Sequence, residues 1–299
     1  MSKQLKADLA LLAVTLAWGS SFVLTKNALD HIATFNFLAI RFILAAIVSA
    51  IIFYKNIIKA DKNSIKYGMM IGAILFTGYA LQTTGLQYTS ASKSGFITGF
   101  SVVIVPVLSA LLLKIKPNKY AVIGVVCAIL GLGFLTLDSS LSLNSGDLLT
   151  LIASFMFALH IITVGKYTVA VDSITMAIVQ IGTVGVLSLI FSFAIEQPIL
   201  PTGKEIWIPM FILSIVCTSV AFIVQNVMQK FTSPTHTALI YSGEPVFSAI
   251  FAYFVSNEIL TRRAIFGCAL ILAGMIVSEL DWSSIFNKEK SEKIEEAVE

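Results

Sequence analysis

Charge is what this chain has least of. Only 12% of its 299 residues are Asp, Glu, Lys or Arg, against about 25% in soluble domains. Hydrophobic residues make up 57%, and the mean hydropathy is +0.89. That balance excludes an ordinary soluble domain and places the chain in a bilayer. Catalytic signatures are missing as well. There is no Walker A pattern, which argues against direct ATP use, and no HExxH or GxSxG. The three histidines, His31, His160 and His236, form no metal pattern, so neither a metal nor a cofactor is expected and the chain reads as a non-enzyme. Cys127, Cys217 and Cys268 lie far apart inside apolar runs and read as small buried hydrophobes. A net charge of +3 is too weak to argue for nucleic acid.

What the chain has is apolar length. A helix crossing ~30 Å of hydrocarbon needs about 20 residues, and ten such runs can be drawn. They cover roughly 8–27, 34–54, 66–86, 91–113, 119–137, 147–167, 173–195, 206–229, 235–256 and 261–281. The first is too long for a signal-peptide core and is followed almost at once by another run, so it reads as a span. Short connections leave no room for a soluble catalytic domain. The expected fold is an all-α integral membrane protein with ten transmembrane helices.

The second half repeats the first. At an offset of 143 residues Gln225 falls on Gln82, Thr232-Ser233 on Thr89-Ser90, Gly267 on Gly124 and Gly274 on Gly131. A polar stripe repeats too: Thr237 on Ser94, Tyr241 on Thr98, Glu244 on Ser101. Chance matches of Leu and Ile mean nothing in apolar helices, but glycines, glutamines and a polar face in one register do. The halves are therefore 1–138 and 147–282, with a polar linker at 139–146 and a charged tail at 283–299. With the N-terminus in the cytoplasm, 14 of the 20 basic residues fall on the cytoplasmic side, against Lys26, Lys93, Lys204, Arg262 and Arg263 outside and Arg41 within a span. The positive-inside rule then puts both termini in the cytoplasm. Five spans per half make the two repeats inverted, the arrangement alternating-access carriers use.

Polar groups in a span must find partners or face a wet interior. Trp18, Ser21 and Thr25 share a face of the first span. Tyr79, Gln82 and Thr83 lie on the third, His160 and Thr163 on the sixth, Gln180 on the seventh, and Gln225 and Asn226 on the eighth. Together with Thr98, Tyr241 and Glu244 they can line one cavity. Gln82, Gln225 and Asn226 can equally glue helices together, His160 can be a packing residue, and Arg41 can snorkel or pair with a carboxylate. Glu244 lies near the middle of an apolar run, where an ionisable group costs ~3 kcal/mol to insert. It reads as a proton carrier, substrate counter-ion or gate. The alternative is a capped glutamate at a kink made by Pro245.

These residues carry a resemblance. AWGSSFVLTK near the start, Arg41-Phe42, YTSASKSGFITGFSVVIVPVLSALLL in the first half and TALIYSGEPVFSAIFAYFVSNEILTRRAIFGCALILAGM in the second resemble the EamA-type ten-helix carriers of the drug/metabolite transporter superfamily. The resemblance covers nearly the whole chain. It implies two inverted five-helix repeats around a central cavity and movement of small metabolites or amino acids, often outward. By position it implies Trp18, Gln82, Thr98, His160, Asn226, Tyr241 and Glu244 as cavity residues. Glu244 and His160 are the candidates for proton coupling. Glu258 departs from a paired pattern, because KIKPNK stands where a matching acidic residue would follow the fourth span. The expected partners are a small-molecule substrate and the lipid of the cell membrane, with the chain a monomer or homodimer. A flippase for lipid-linked substrates, or a channel or sensor, is the alternative.

Overall fold

The structure is a computed structural model that describes residues 3–113, 119–136 and 144–279. The expected tail at 283–299 and most of the linker at 139–146 lie outside the described residues. So do KIKPN at 114–118 and the cytoplasmic lysines in those segments.

Among the described residues there are no strands. In chain order the helices are α1 (Lys3–Leu29), α2 (Thr34–Ile52), α3 (Tyr54–Ile58), α4 (Lys62–Leu86), α5 (Ala91–Gly99), α6 (Ser101–Leu113), α7 (Lys119–Thr136), α8 (Ser145–Tyr167), α9 (Ser173–Ile195), α10 (Lys204–Ser214), α11 (Ala221–Met228), α12 (Pro234–Tyr241), α13 (Glu244–Ser256) and α14 (Arg262–Glu279). Joined where they are continuous, they supply 8 stretches long and apolar enough to cross a membrane: Lys3–Leu29, Thr34–Ile52, Lys62–Leu86, Ala91–Leu111, Ser145–Tyr167, Ser173–Ile195, Lys204–Phe231 and Pro234–Ser256. Val122–Leu135 within α7 is a shorter apolar helix. Large apolar side chains such as Ile51, Phe193 and Phe254 point outward, which suits a lipid-facing surface and not an aqueous one.

Polar caps set where several helices begin. The Asp61 carboxylate accepts from the Asn63 and Ser64 amides at 2.9 Å, Ser90 caps α5 through the Lys93 amide, and Asn144 caps α8 through that of Gly146. Helix α13 ends at Asn257, whose φ of 53° lies in the left-handed region. Asn tolerates that conformation and a β-branched residue does not. Asn257→Val is expected to lower stability by about 1–2 kcal/mol, while Asn257→Gly holds or raises it, as thermal unfolding in detergent would show.

The packing joins the two halves of the sequence throughout. Helix α2 lies on α9, α4 on α8 and α9, α1 on α13, α13 on α5, and α7 on α14. One apolar core forms around Phe37, Phe42, Leu75, Ile181 and Phe222. A second runs through Leu11, Ile97, Val103, Ile271 and Met275. Trp18 packs against both.

The α7–α14 contact is backbone against backbone. A Cβ at Gly131 would sit 2.6 Å from the Gly267 carbonyl oxygen, one at Gly267 2.7 Å from that of Gly131, and one at Gly274 2.6 Å from that of Gly124. Small residues are what permit such an approach where lipid leaves little hydrophobic drive between helices.

Candidate functional site

Three of the long apolar stretches are not regular helices. Ala91–Leu111 is split between α5 and α6 at Phe100, and Pro234–Ser256 between α12 and α13 at Ser242-Gly243. The two breaks fall 143 residues apart, so Thr98 and Ser101 stand in one where Tyr241 and Glu244 stand in the other. Between α10 and α11, Ile215–Val220 forms a π-helical turn, a local widening common at functional sites.

Pro245 occupies the first turn of α13, where its missing N–H would have no partner in any case. The proline therefore starts a half-helix and does not kink a continuous one. This puts Glu244 at the mouth of the break and leaves its carboxylate with no hydrogen bond or ion pair to any described residue. The reading of a glutamate capped at a kink is not what the geometry shows.

Helix α1 brings Trp18 to the same place. A Cβ at the adjacent Gly19 would lie 2.5 Å from Phe247 Cβ and 3.0 Å from the Glu244 carbonyl oxygen, so only glycine allows α1 this close to α13. The Trp18 indole Nε1 donates to the Cys217 carbonyl at 3.0 Å, inside the π-helical turn. That fixes the ring between Phe222 and Tyr241, with centroids 5.3 and 5.1 Å away.

A cavity of about 50 Å³ lies among these helices, room for a few waters and below the range of small-molecule sites. Of the residues predicted from sequence, Trp18, Gln82, Thr98, His160, Tyr241 and Glu244 all line it. Gln82 Nε2 donates to Thr98 Oγ1 at 2.8 Å, which ties α4 to the α5 half-helix. His160 Nε2 is 3.0 Å from Gln180 Oε1, and its ring meets Phe222 edge-on.

Asn226 does not line the cavity. Its Nδ2 donates to the Phe222 carbonyl at 2.8 Å, and its own carbonyl accepts from Thr168. One residue along a helix is a rotation of about 100°, so the cavity face belongs to Gln225 instead. The signal for Gln225 was in the sequence, since it is the repeat mate of Gln82. The apolar lining (Leu75, Phe157, Phe222) carried no such signal.

Arg41 is 1% exposed and faces no carboxylate partner among the described residues. Its Nε donates to Thr218 Oγ1 at 2.8 Å, and its guanidinium lies over the rings of Phe42 and Tyr79 at 5.4 and 5.3 Å. It neither snorkels nor pairs; it locks α2 to the π-helical turn, one layer behind the cavity.

Glu258 finds a partner other than a second acid. Its carboxylate accepts from the Ala91 and Ser92 amides at 3.0 and 3.1 Å and from Ser92 Oγ at 2.6 Å, across the start of α5. Glu196 does the same to the Phe35 and Asn36 amides at the start of α2. Beside Glu258, Lys93 pairs with Asp147 at 2.6 Å. Carboxylates suit these positions because the first amides of a helix are unpaired and carry the positive end of its dipole.

Burial opposes the charge on Glu258, but the hydrogen bonds from Ser92 and from the Ala91 and Ser92 amides outweigh it and hold the group below its ordinary value of 4.5. Since folding lowers this value, the stabilisation is complete above about pH 4.5 and is lost as the pH falls through the folded value. Glu258→Gln is therefore expected to lower the unfolding temperature at pH 7 and to flatten its fall on acidification between pH 5 and 3, measured side by side with the parent.

Known proteins share this fold. A crystallised protein of 17% sequence identity superposes with a TM-score of 0.69 over 92% of this chain and 96% of its own; at that identity the likeness shows the fold. An uncharacterized transporter of Archaeoglobus fulgidus is 34% identical over 93% of this chain and 87% of its own length. The uncharacterized transporter YoaV of Bacillus subtilis is 26% identical over 93% and 98%. The model of the EamA-like transporter family matches twice, at residues 5–137 and 144–280. The chain belongs to the EamA-like transporter family and is a multi-pass membrane transporter.

Proposed function

We propose that the chain is a secondary carrier that moves a small polar or amphipathic metabolite, amino-acid-like compounds included, outward across the cell membrane by alternating access. The observation that carries this reading is the cavity at the two helix breaks. Discontinuous helices meeting around one site are how carriers expose backbone and polar groups in mid-membrane without facing lipid.

Counting α7 and α14 as spans brings the total to ten, five per half, with both termini cytoplasmic. Three features support an inverted repeat. The family model matches each half separately. Helices α7 and α14 have the same length and stand 143 residues apart. Gly131 meets Gly267 while Gly124 meets Gly274, although by offset Gly267 corresponds to Gly124 and Gly274 to Gly131. That exchange is what a twofold axis between the two helices produces.

In this orientation the Glu258 clamp, the Lys93–Asp147 pair and the Lys26 ammonium on the Leu86 carbonyl all lie at the outer end. Opening that end requires breaking them. At the inner end His236 meets Asp8 at 3.2 Å, and Asn56 meets Asp172 at 3.1 Å. Glu244 is the first candidate to carry a coupling proton, and His160 the second.

Uptake of a mixed amino-acid and metabolite panel into proteoliposomes, with and without an imposed pH gradient, tests the proposal. A compound that accumulates only with the gradient is the expected result. Conductance in a planar bilayer that persists without saturation would overturn it in favour of a channel. Movement of lipid-linked substrates alone would favour a flippase.

A further inference from the structure

The two ends of the molecule are closed by the same parts. At the outer end Ser90 caps α5 through the Lys93 amide at 3.2 Å, and the Lys93 ammonium pairs with Asp147 of α8 at 2.6 Å. At the inner end Ser233 caps α12 through the His236 amide at 3.1 Å, and the His236 imidazole meets Asp8 of α1 at 3.2 Å. Ser233 and His236 stand 143 residues after Ser90 and Lys93. Asp8 and Asp147 each stand where the apolar run of their half's first helix begins. Each pair joins a half-helix of one repeat to the first helix of the other, the exchange an inverted repeat produces.

The two clusters differ in how far they are closed. At the outer end Thr89 Oγ1 donates to Asp147 Oδ1, Lys93 holds Oδ2, and the Lys26 ammonium reaches the Leu86 and Thr89 carbonyls. At the inner end Thr232 is the repeat mate of Thr89, yet Thr232 Oγ1 and Asp8 Oδ1 are both buried without a hydrogen-bond partner. His236 Nε2 comes within ion-pair reach of that Asp8 oxygen without completing a hydrogen bond. Lys166, near the end of α8 as Lys26 is near the end of α1, lies over the Tyr167 ring at 5.3 Å. The outer latch is made; the inner one lacks the contacts that its counterpart makes.

The bases also differ in kind. An ammonium stays charged through the physiological range, whereas an imidazole changes its charge between about pH 5 and 8. Charge-assisted hydrogen bonds are shorter and roughly twice as strong as neutral ones. Helix α12 packs on α1, α6, α8 and α14. Helix α6 has no ionisable residue; at the inner end α1 brings Lys3, Lys6 and Asp8, α8 brings Lys166 and Tyr167, Lys230 precedes α12, and Glu279 ends α14. Asp8 is the carboxylate that meets His236, whose side chain is 37% exposed and open to protons from the cytoplasm. We propose that His236 and Asp8 form a proton-operated latch on the inner gate, which closes α12 onto α1 when the imidazole is charged and frees it when the imidazole is neutral. The inference rests on the carrier reading and its orientation, because it takes the two ends to be gates. A cavity of about 50 Å³ admits no metabolite until one end opens, so acid on the cytoplasmic side delays opening there, while the Lys93–Asp147 pair outside keeps its charge.

Spin labels at Lys6→Cys and Lys230→Cys, two exposed positions on α1 and just before α12, report the inner end. Distances between them are read by pulsed electron spin resonance on the full chain in nanodiscs, with the three native cysteines replaced by Ala. The ratio of short to long distances is expected to rise at least threefold from pH 8 to pH 5.5. His236→Lys, which copies the outer pair, should hold the short distance at both pH values. His236→Gln and Asp8→Asn should each hold the long distance at both, so either carries the test should the other not fold.

A distance distribution that ignores pH in the parent, or a pH response that survives in His236→Gln or in Asp8→Asn, would overturn the inference. The readout needs no substrate, so the carrier reading is judged apart from it by counterflow of the metabolite panel. An inner end that closes in acid while no compound moves leaves the latch standing without the carrier. Transport by a protein whose inner end is indifferent to pH leaves the carrier standing without the latch.

Discussion

Glu244→Gln is expected to cut substrate uptake into proteoliposomes at least tenfold and to abolish its response to an imposed pH gradient, with the purified protein still monodisperse. The substitution keeps the size and one hydrogen-bonding oxygen and removes the charge. A tenfold loss corresponds to about 1.4 kcal/mol, less than the ~1.5–3 kcal/mol that a hydrogen bond to a charged group contributes. No protein cation loses its partner in the exchange, because the carboxylate has none among the described residues. The variant therefore does not incur the cost of stranding a buried charge. Folding and transport should separate cleanly. Uptake that keeps its full pH dependence in the variant would remove Glu244 from proton coupling and pass that role to His160.

The second large effect is on assembly. Gly267→Leu is expected to abolish recovery of folded protein or to lower its unfolding temperature by many degrees. The atoms a new side chain would meet are the Gly131 carbonyl oxygen at 2.7 Å and the Leu135 amide nitrogen at 2.9 Å. Neither can rotate away as a flexible side chain would, so α7 and α14 must part along their shared face. Overpacking costs about 1–3 kcal/mol where side chains can adjust, and here the cost lies at or beyond the upper end. Gly267→Ala tests the same contact more gently and should fall between parent and Leu. An unfolding profile for Gly267→Leu matching the parent's would show that the two helices are not held at this distance in the membrane.

Much of the site was legible in the sequence because its residues are conspicuous against lipid. Trp18, Gln82, Thr98, His160, Tyr241 and Glu244 are polar or amphipathic groups within apolar runs, and six such groups converge on one cavity. The transfer cost of a polar group in hydrocarbon is what makes that inference work. It cannot say which of two adjacent polar residues faces inward. Gln225 and Asn226 are equally polar, and the π-helical turn at Ile215–Val220 shifts the phase of the helix before them. Glu258 was visible as an acidic residue after a span, but its partners are the backbone amides of Ala91 and Ser92. Backbone groups carry no signature in a one-letter code.

By itself the sequence determined the solvent, the helical class, the duplication at 143 residues and the place of Glu244 within an apolar run. All four follow from composition and period, which any stretch carries whatever it packs against. Only the tertiary structure decided that two spans are broken, that Pro245 begins a half-helix, and that Arg41 is spent behind the cavity. It also decided that Glu244 stands without a counter-charge among the described residues. Those facts depend on which groups from distant helices arrive within a few ångströms of one another. Close packing fixes that for the whole chain at once, not within any one segment.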